Sequence, residues 1–209
     1  MFHRFLLSAL ALLPAPTALA FEACDIPPRH GTSETAQAIV RTACNEHRLW
    51  QRAFIERDGR IAHLGVTEAE ADSLADDGLV AWQRVAGYWR ESGTLSALGA
   101  YPGAQSCMAA PGERMTDNDC RAFLIDNPWS AAFISWVMTR ANVPGFVRSP
   151  RHIDYIRAAW RDDARPYRLT DPAVEKPAPG DLLCFLRDRD SALSHAGLVQ
   201  ALQAGRADR

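Results

Sequence analysis

Lysine is almost missing from this chain: Lys176 is the only one, and the other 22 of its 23 basic residues are arginines scattered along the sequence. Against 25 acidic residues they leave a formal charge of -2, so no net positive field advertises nucleic acid or an anionic membrane as a partner. C-x-x-C, H-E-x-x-H and C-x-x-C-H spacings are all absent. Metal and haem sites therefore lack their usual ligand patterns, and the expectation is a chain that works without a cofactor or metal. Apolar runs stop well short of the ~20 residues a membrane helix needs, and no internal repeat occurs. What is present is an ordinary globular composition over 209 residues, 47% hydrophobic and 23% charged, enough for one domain or two small ones.

The first 20 residues read as an address label. His3 and Arg4 form a basic start, Phe5 to Leu13 an apolar run, and Thr17-Ala18-Leu19-Ala20 an A-x-A type cleavage site, which is the signature of a secretory signal peptide cleaved after Ala20. Phe21-Glu22-Ala23 is a poor lipoprotein box, so Cys24 is not expected to carry a lipid anchor. The expectation is a periplasmic or extracellular protein, and export makes the five cysteines readable as an oxidised set. Cys107 and Cys120 bracket a Gly, Pro and Asp-rich stretch and are the favoured pair; Cys24 with Cys44 is possible and leaves Cys184 odd. Residues 21–100 read as a helical lead and 101–209 as the core, the two forming one compact domain over 21–209.

Hydrophobic spacing predicts a helix capped at Thr32 or Ser33 and running through Ile39, Ala43, Trp50 and Phe54 to about Arg57. Thr67 with Glu70 is a capping box that predicts a second start, and Leu79 to Gly93 carries a third helical pattern. Leu98 to Asp126 has no sustained period and reads as a long surface loop held by the proposed disulfide. Asn127 and Pro128 look like the cap and first residue of a helix that is apolar almost all round, Trp129 to Met138. Ser149-Pro150 opens another through Ile153, Ile156 and Trp160. Pro179-Gly180-Asp181 is a turn leading to a strand-like Leu182 to Leu186, and after Asp188 to Ser191 a second strand, Leu193 to Leu202, carries His195. Helices first and strands last argue α+β.

Two residues stand out chemically. Ser130 lies in the first turn of the apolar helix, among backbone N–H groups that have no intrahelical acceptor and at the positive end of the dipole. His195, on a neighbouring strand, is placed to act as its base. Trp129, His152 and Asp126 are candidates to line the same cleft. His152 reads more simply as a helix-start cap, and Asp126 or Asp181 as the group behind the imidazole. Cys184, between Leu183 and Phe185, reads as core filler.

Trp129-Ser130-Ala131-Ala132-Phe133-Ile134 resembles the nucleophile helix of CHAP and NlpC-type papain-fold amidases and peptidases, where the pattern is Trp-Cys-Ala-x-Phe-Val. Pro179-Gly180-Asp181 and Ser194-His195-Ala196-Gly197 are similar to that superfamily's Pro-Gly-Asp and His-x-Gly strands. Val80 to Trp89, the Pro128 to Ser135 segment and Ser149 to Ile156 resemble a bacterial family known as domain of unknown function 2272. The resemblance implies a papain-like α+β core with a C-terminal antiparallel sheet. With only 14 residues after His195, that sheet is expected to be incomplete. It also implies a cell-wall amidase or peptidase-like hydrolase acting on peptidoglycan or envelope peptides through Ser130 and His195. The alternative is a non-catalytic binding protein built on the same cleft. Serine in place of cysteine sharpens the chemistry, since a hydroxyl must lose its proton to a base during attack rather than beforehand.

Overall fold

A computed structural model describes residues 23–27, 30–56, 58, 60–75, 78–161, 166–186 and 194–205. The expected signal peptide over 1–20, the turn expected over 188–191 and the tail from 206 lie outside the described residues. The described chain is α+β, with six α-helices and one two-stranded antiparallel sheet.

α1 (Glu34–Leu49) begins where the Ser33 hydroxyl accepts from the Ala36 N–H, a satisfied N-cap. It stops at Leu49 rather than Arg57, because Gln51 and Arg52 both take left-handed backbone angles and return their N–H groups to Arg48 and His47. The chain then forms the hairpin β1 (Phe54–Ile55) and β2 (Ile61–His63). Phe54 had matched the helical period, yet it is exposed. The Thr67 capping box makes only half its pattern, the Thr67 N–H donating to Glu70. A turn follows instead of a helix, because the Glu70 and Asp72 carbonyls accept from Trp82 and Ala81 at the start of α2.

α2 (Ala81–Glu91) is the hub: Ala81, Trp82, Val85, Ala86, Tyr88 and Trp89 are all buried. It packs against α3 (Arg114–Asp126) and most extensively against α4 (Ser130–Arg140). α3 falls inside the stretch expected to be a loop. Its N-cap Glu113 accepts from the Met115 and Thr116 N–H groups, and Cys120, Phe123 and Leu124 bury one face. The Cys107–Cys120 disulfide pins the preceding turn to that face, and Cys24–Cys44 ties the N-terminal segment to α1. Closing the 13-residue separation of the first is worth about 3 kcal/mol. Both bonds suit an oxidising compartment. Among the described residues no helix is long and apolar enough to cross a membrane.

α4 starts at Ser130, with Trp129 as its cap, not at Asn127. Asn127 instead closes α3, its backbone and side-chain N–H groups both donating to the Phe123 carbonyl. α5 (His152–Trp160) follows a loop, and α6 (His195–Gln203) ends the described chain. The expected C-terminal sheet is absent from the described residues. Leu182 to Leu186 makes no ladder, and His195 sits on a helix. Ser194 caps that helix through the Gly197 N–H, and Leu198 and Leu202 are buried one turn apart, so a period of four won over a strand's period of two. The Pro-Gly-Asp turn does form, Asp181 donating to the Ala178 carbonyl. Gly180 has φ +96°, and a Cβ there would meet Ala36 of α1 at 2.8 Å, so only glycine lets the turn dock.

Candidate functional site

Three of the six helices have their first turn satisfied by a side chain, from Ser33, Glu113 and Ser194. α4 does not. Trp129 offers no capping group, and the first bond inside the helix runs from the Phe133 N–H to the Trp129 carbonyl. The N–H groups of Ser130, Ala131 and Ala132 are therefore left without an acceptor in the helix, at the positive end of its dipole. Ser130 itself is exposed.

The Ser130 Oγ lies 2.7 Å from His152 Nε2. His152 is the first residue of α5, and its Nδ1 bonds the Tyr155 hydroxyl three residues on, the spacing that puts two side chains on one helix face. Ser130, His152 and Tyr155 thus form a continuous hydroxyl–imidazole–phenol chain. Tyr155 is buried, and loss of water pushes its hydroxyl well above the ordinary tyrosine range, with Cys184 nearby adding to the shift. The phenol stays protonated at neutral pH. It can accept from Nδ1–H, which leaves Nε2 free to take the Ser130 proton, or donate to Nδ1, which does not.

A buried serine pair fixes the approach of α5 to α4. Ser135 Oγ donates to the Ser149 carbonyl and accepts from the Ser149 N–H, each at 3.0 Å, and Ser149 Oγ in turn accepts from the Arg151 N–H. Both serines are buried. Ser135→Ala strands two backbone groups, so it should cost about 2 kcal/mol in chemical denaturation. It should also displace the His152 imidazole resonances in NMR spectra; unmoved His152 signals would refute the clamp.

An aromatic wall stands on the other side of Ser130. Trp129 stacks on Trp50 at 5.9 Å and on Tyr88 at 5.8 Å. Tyr88 donates to Glu46, which also pairs with Arg84, and the Trp50 indole donates to the Tyr88 hydroxyl at 2.7 Å. A depression of about 250 Å³ lies at the opposite end of α4 against Thr139, Asn142 and Arg148.

The other expected site residues lie elsewhere. His195, expected as the base, makes no hydrogen bond with Ser130. Its Nδ1 faces Asp171 at 3.8 Å, and its Nε2 is buried with no hydrogen-bond partner among the described residues. Asp126 is exposed at the end of α3 and bonds neither Ser130 nor His152. Cys184 is the free cysteine and is exposed, not core filler. Its side chain nonetheless borders an apolar cavity that takes water from the sulfur, and burial holds the thiol above its ordinary range. Tyr155 was missed, and the signal was the His152 to Tyr155 spacing. Among the described residues no group of three His, Cys, Asp or Glu side chains is placed to hold a metal.

The profile of a family described as "Uncharacterized protein conserved in bacteria (DUF2272)" matches residues 76–205, which include α2 to α6 and every member of the hydroxyl–imidazole–phenol chain. No curated protein and no solved structure matches the sequence.

Proposed function

Since the chain belongs to the DUF2272 family of bacterial proteins, a family without an assigned activity, we propose from the site itself that it is an exported serine acyl hydrolase acting on peptide or amide bonds of the cell envelope. The observation that carries the reading is the 2.7 Å contact between Ser130 Oγ and His152 Nε2 at an uncapped helix start. The resemblance to CHAP and NlpC-type amidases supplies the substrate class.

In this reading His152 Nε2 takes the Ser130 proton as the oxygen attacks the carbonyl carbon. The tetrahedral oxyanion is held by the free N–H groups of Ala131 and Ala132. His152 then returns the proton to the leaving amine as the carbon–nitrogen bond breaks, and water, activated by the same imidazole, releases the acyl group from Ser130. Tyr155 orients the imidazole in the place where a carboxylate would usually stand. A neutral phenol stabilises the imidazolium less than a carboxylate does, so the turnover expected is slow.

The mature chain incubated with purified peptidoglycan should release free amine, and the Ser130→Ala chain should not. Equal release by both would overturn the assignment. The second reading, a non-catalytic envelope-binding protein, is favoured by the phenol of Tyr155 that bonds His152 Nδ1 where a catalytic triad has a carboxylate. It requires that sacculi retain native and Ser130→Ala chains equally with no amine released by either.

A further inference from the structure

To take the Ser130 proton His152 must become an imidazolium, and its place in α5 opposes that. It is the first residue of the helix, at the positive end of the dipole, and the residue before it is Arg151. The acidic residue of that first turn is Asp154.

The Asp154 carboxylate accepts from the Ser149 hydroxyl at 2.5 Å and from Arg151 Nε and Nη2 at 3.2 and 2.8 Å. A second guanidinium, of Arg157, lies 3.8 Å away. Ser149 is the residue whose N–H and carbonyl both bond Ser135 of α4. One carboxylate therefore joins the serine pair that ties the loop to α4, the first turn of α5, and the cation beside His152. The Ser130 hydroxyl from α4, the Tyr155 phenol and the Cys184 thiol beyond that phenol also stand around the imidazole, and all are uncharged at neutral pH.

We propose that Asp154 is a positioning residue for His152, tying the first turn of α5 to the Ser135–Ser149 pair and offsetting the positive charge of Arg151 and of the helix start, so that the imidazole can take up the Ser130 proton. Its catalytic purpose rests on the acyl-hydrolase reading. Its hold on His152 does not, and can be measured without turnover.

NMR titration of the full chain reads that hold, with the His152 signals identified by their loss in His152→Ala. Asp154→Asn keeps an oxygen for the Ser149 hydroxyl but removes the charge, so the His152 midpoint should fall by about 0.5 pH unit. Arg151→Gln removes the opposite charge and should raise the midpoint by a similar amount. Both shifts should shrink by about half in about 0.5 M sodium chloride, since salt screens a charge but does not restore a displaced ring. Asp154→Ala, which also releases Ser149, should slow labelling of Ser130 by a fluorophosphonate about tenfold. A His152 midpoint that stays put, or moves the same way in both charge variants, overturns the proposal; if Asp154→Asn does not fold, an unmoved midpoint in Arg151→Gln, an exposed change, does so alone. Midpoints that move as stated in a chain that is never labelled would leave the hold of Asp154 standing and remove the hydrolase reading, and labelling with unmoved midpoints would do the reverse.

Discussion

His152→Ala should slow phosphonylation of Ser130 by a fluorophosphonate, in which Oγ bonds phosphorus and fluoride leaves, by about 10³-fold, while His195→Ala should leave the rate within about twofold. An alcohol is a poor nucleophile unless a base removes its proton as it attacks, and His152 is the one base among the described residues within hydrogen-bond reach of Ser130 Oγ. Ser130 and His152 act as one unit, so in amine release from peptidoglycan the double variant Ser130→Ala, His152→Ala should be no slower than either single change. Both residues are exposed, and such substitutions shift stability by only about 0.5 kcal/mol, so lost labelling will not be lost folding. Tyr155→Phe should fall between, about tenfold slower, because the imidazole keeps its place but loses the partner that selects its tautomer. Should His195→Ala silence labelling while His152→Ala does not, the hydroxyl–imidazole–phenol chain is not the machinery.

Glu46→Ala should cause the largest loss of stability of any single change considered, about 3 kcal/mol, or roughly 10 °C in Tm. The carboxylate is 4% exposed and receives Arg84 Nε at 3.0 Å, a second Arg84 nitrogen and the Tyr88 hydroxyl. Removing it leaves a guanidinium beside an apolar wall without its counter-charge, and breaking a buried pair from one side costs more than the pair contributes. Arg84 retains 22% exposure, which places the loss at the lower end of the range. Glu46→Gln should recover part of it, since the amide oxygen still accepts from Tyr88. The exposed Arg60–Glu56 pair is the contrast: Glu56→Ala should change stability by less than about 0.5 kcal/mol. Tyr88 and Trp50 stack on Trp129 next to Ser130, so Glu46→Ala should also slow fluorophosphonate labelling. If thermal melts of Glu46→Ala and native chains coincide, Glu46 does not hold this wall together.

Where the chain's own spacing carried a strong signal, reading and structure agree. The helical pattern of Leu79 to Gly93 became α2, the apolar run after Trp129 became α4, and the Cys107 with Cys120 pairing formed. α3 escaped notice because its cap is Glu113, a residue with weak cap preference, and because it follows a run of glycine and proline. The hairpin escaped because Phe54 continued the period of α1 by coincidence. His195 was misplaced on a strand because Leu-Val alternation near it is short and equally compatible with a helix.

By itself the sequence determined the local terms: which stretches bury an apolar face, which cysteines flank a short loop, and that Ser130 lies in the first turn of a helix. Those follow from side-chain period and backbone geometry, interactions that reach only a few residues. The partner of Ser130 was a tertiary decision. The sequence favoured His195 over His152, and the tertiary structure reversed that order, the Ser135–Ser149 bonds tying the loop before α5 to α4 and His152 Nε2 standing 2.7 Å from Ser130 Oγ. No spacing rule spans the 22 residues between serine and histidine, because that distance is closed by packing, not by the chain between them.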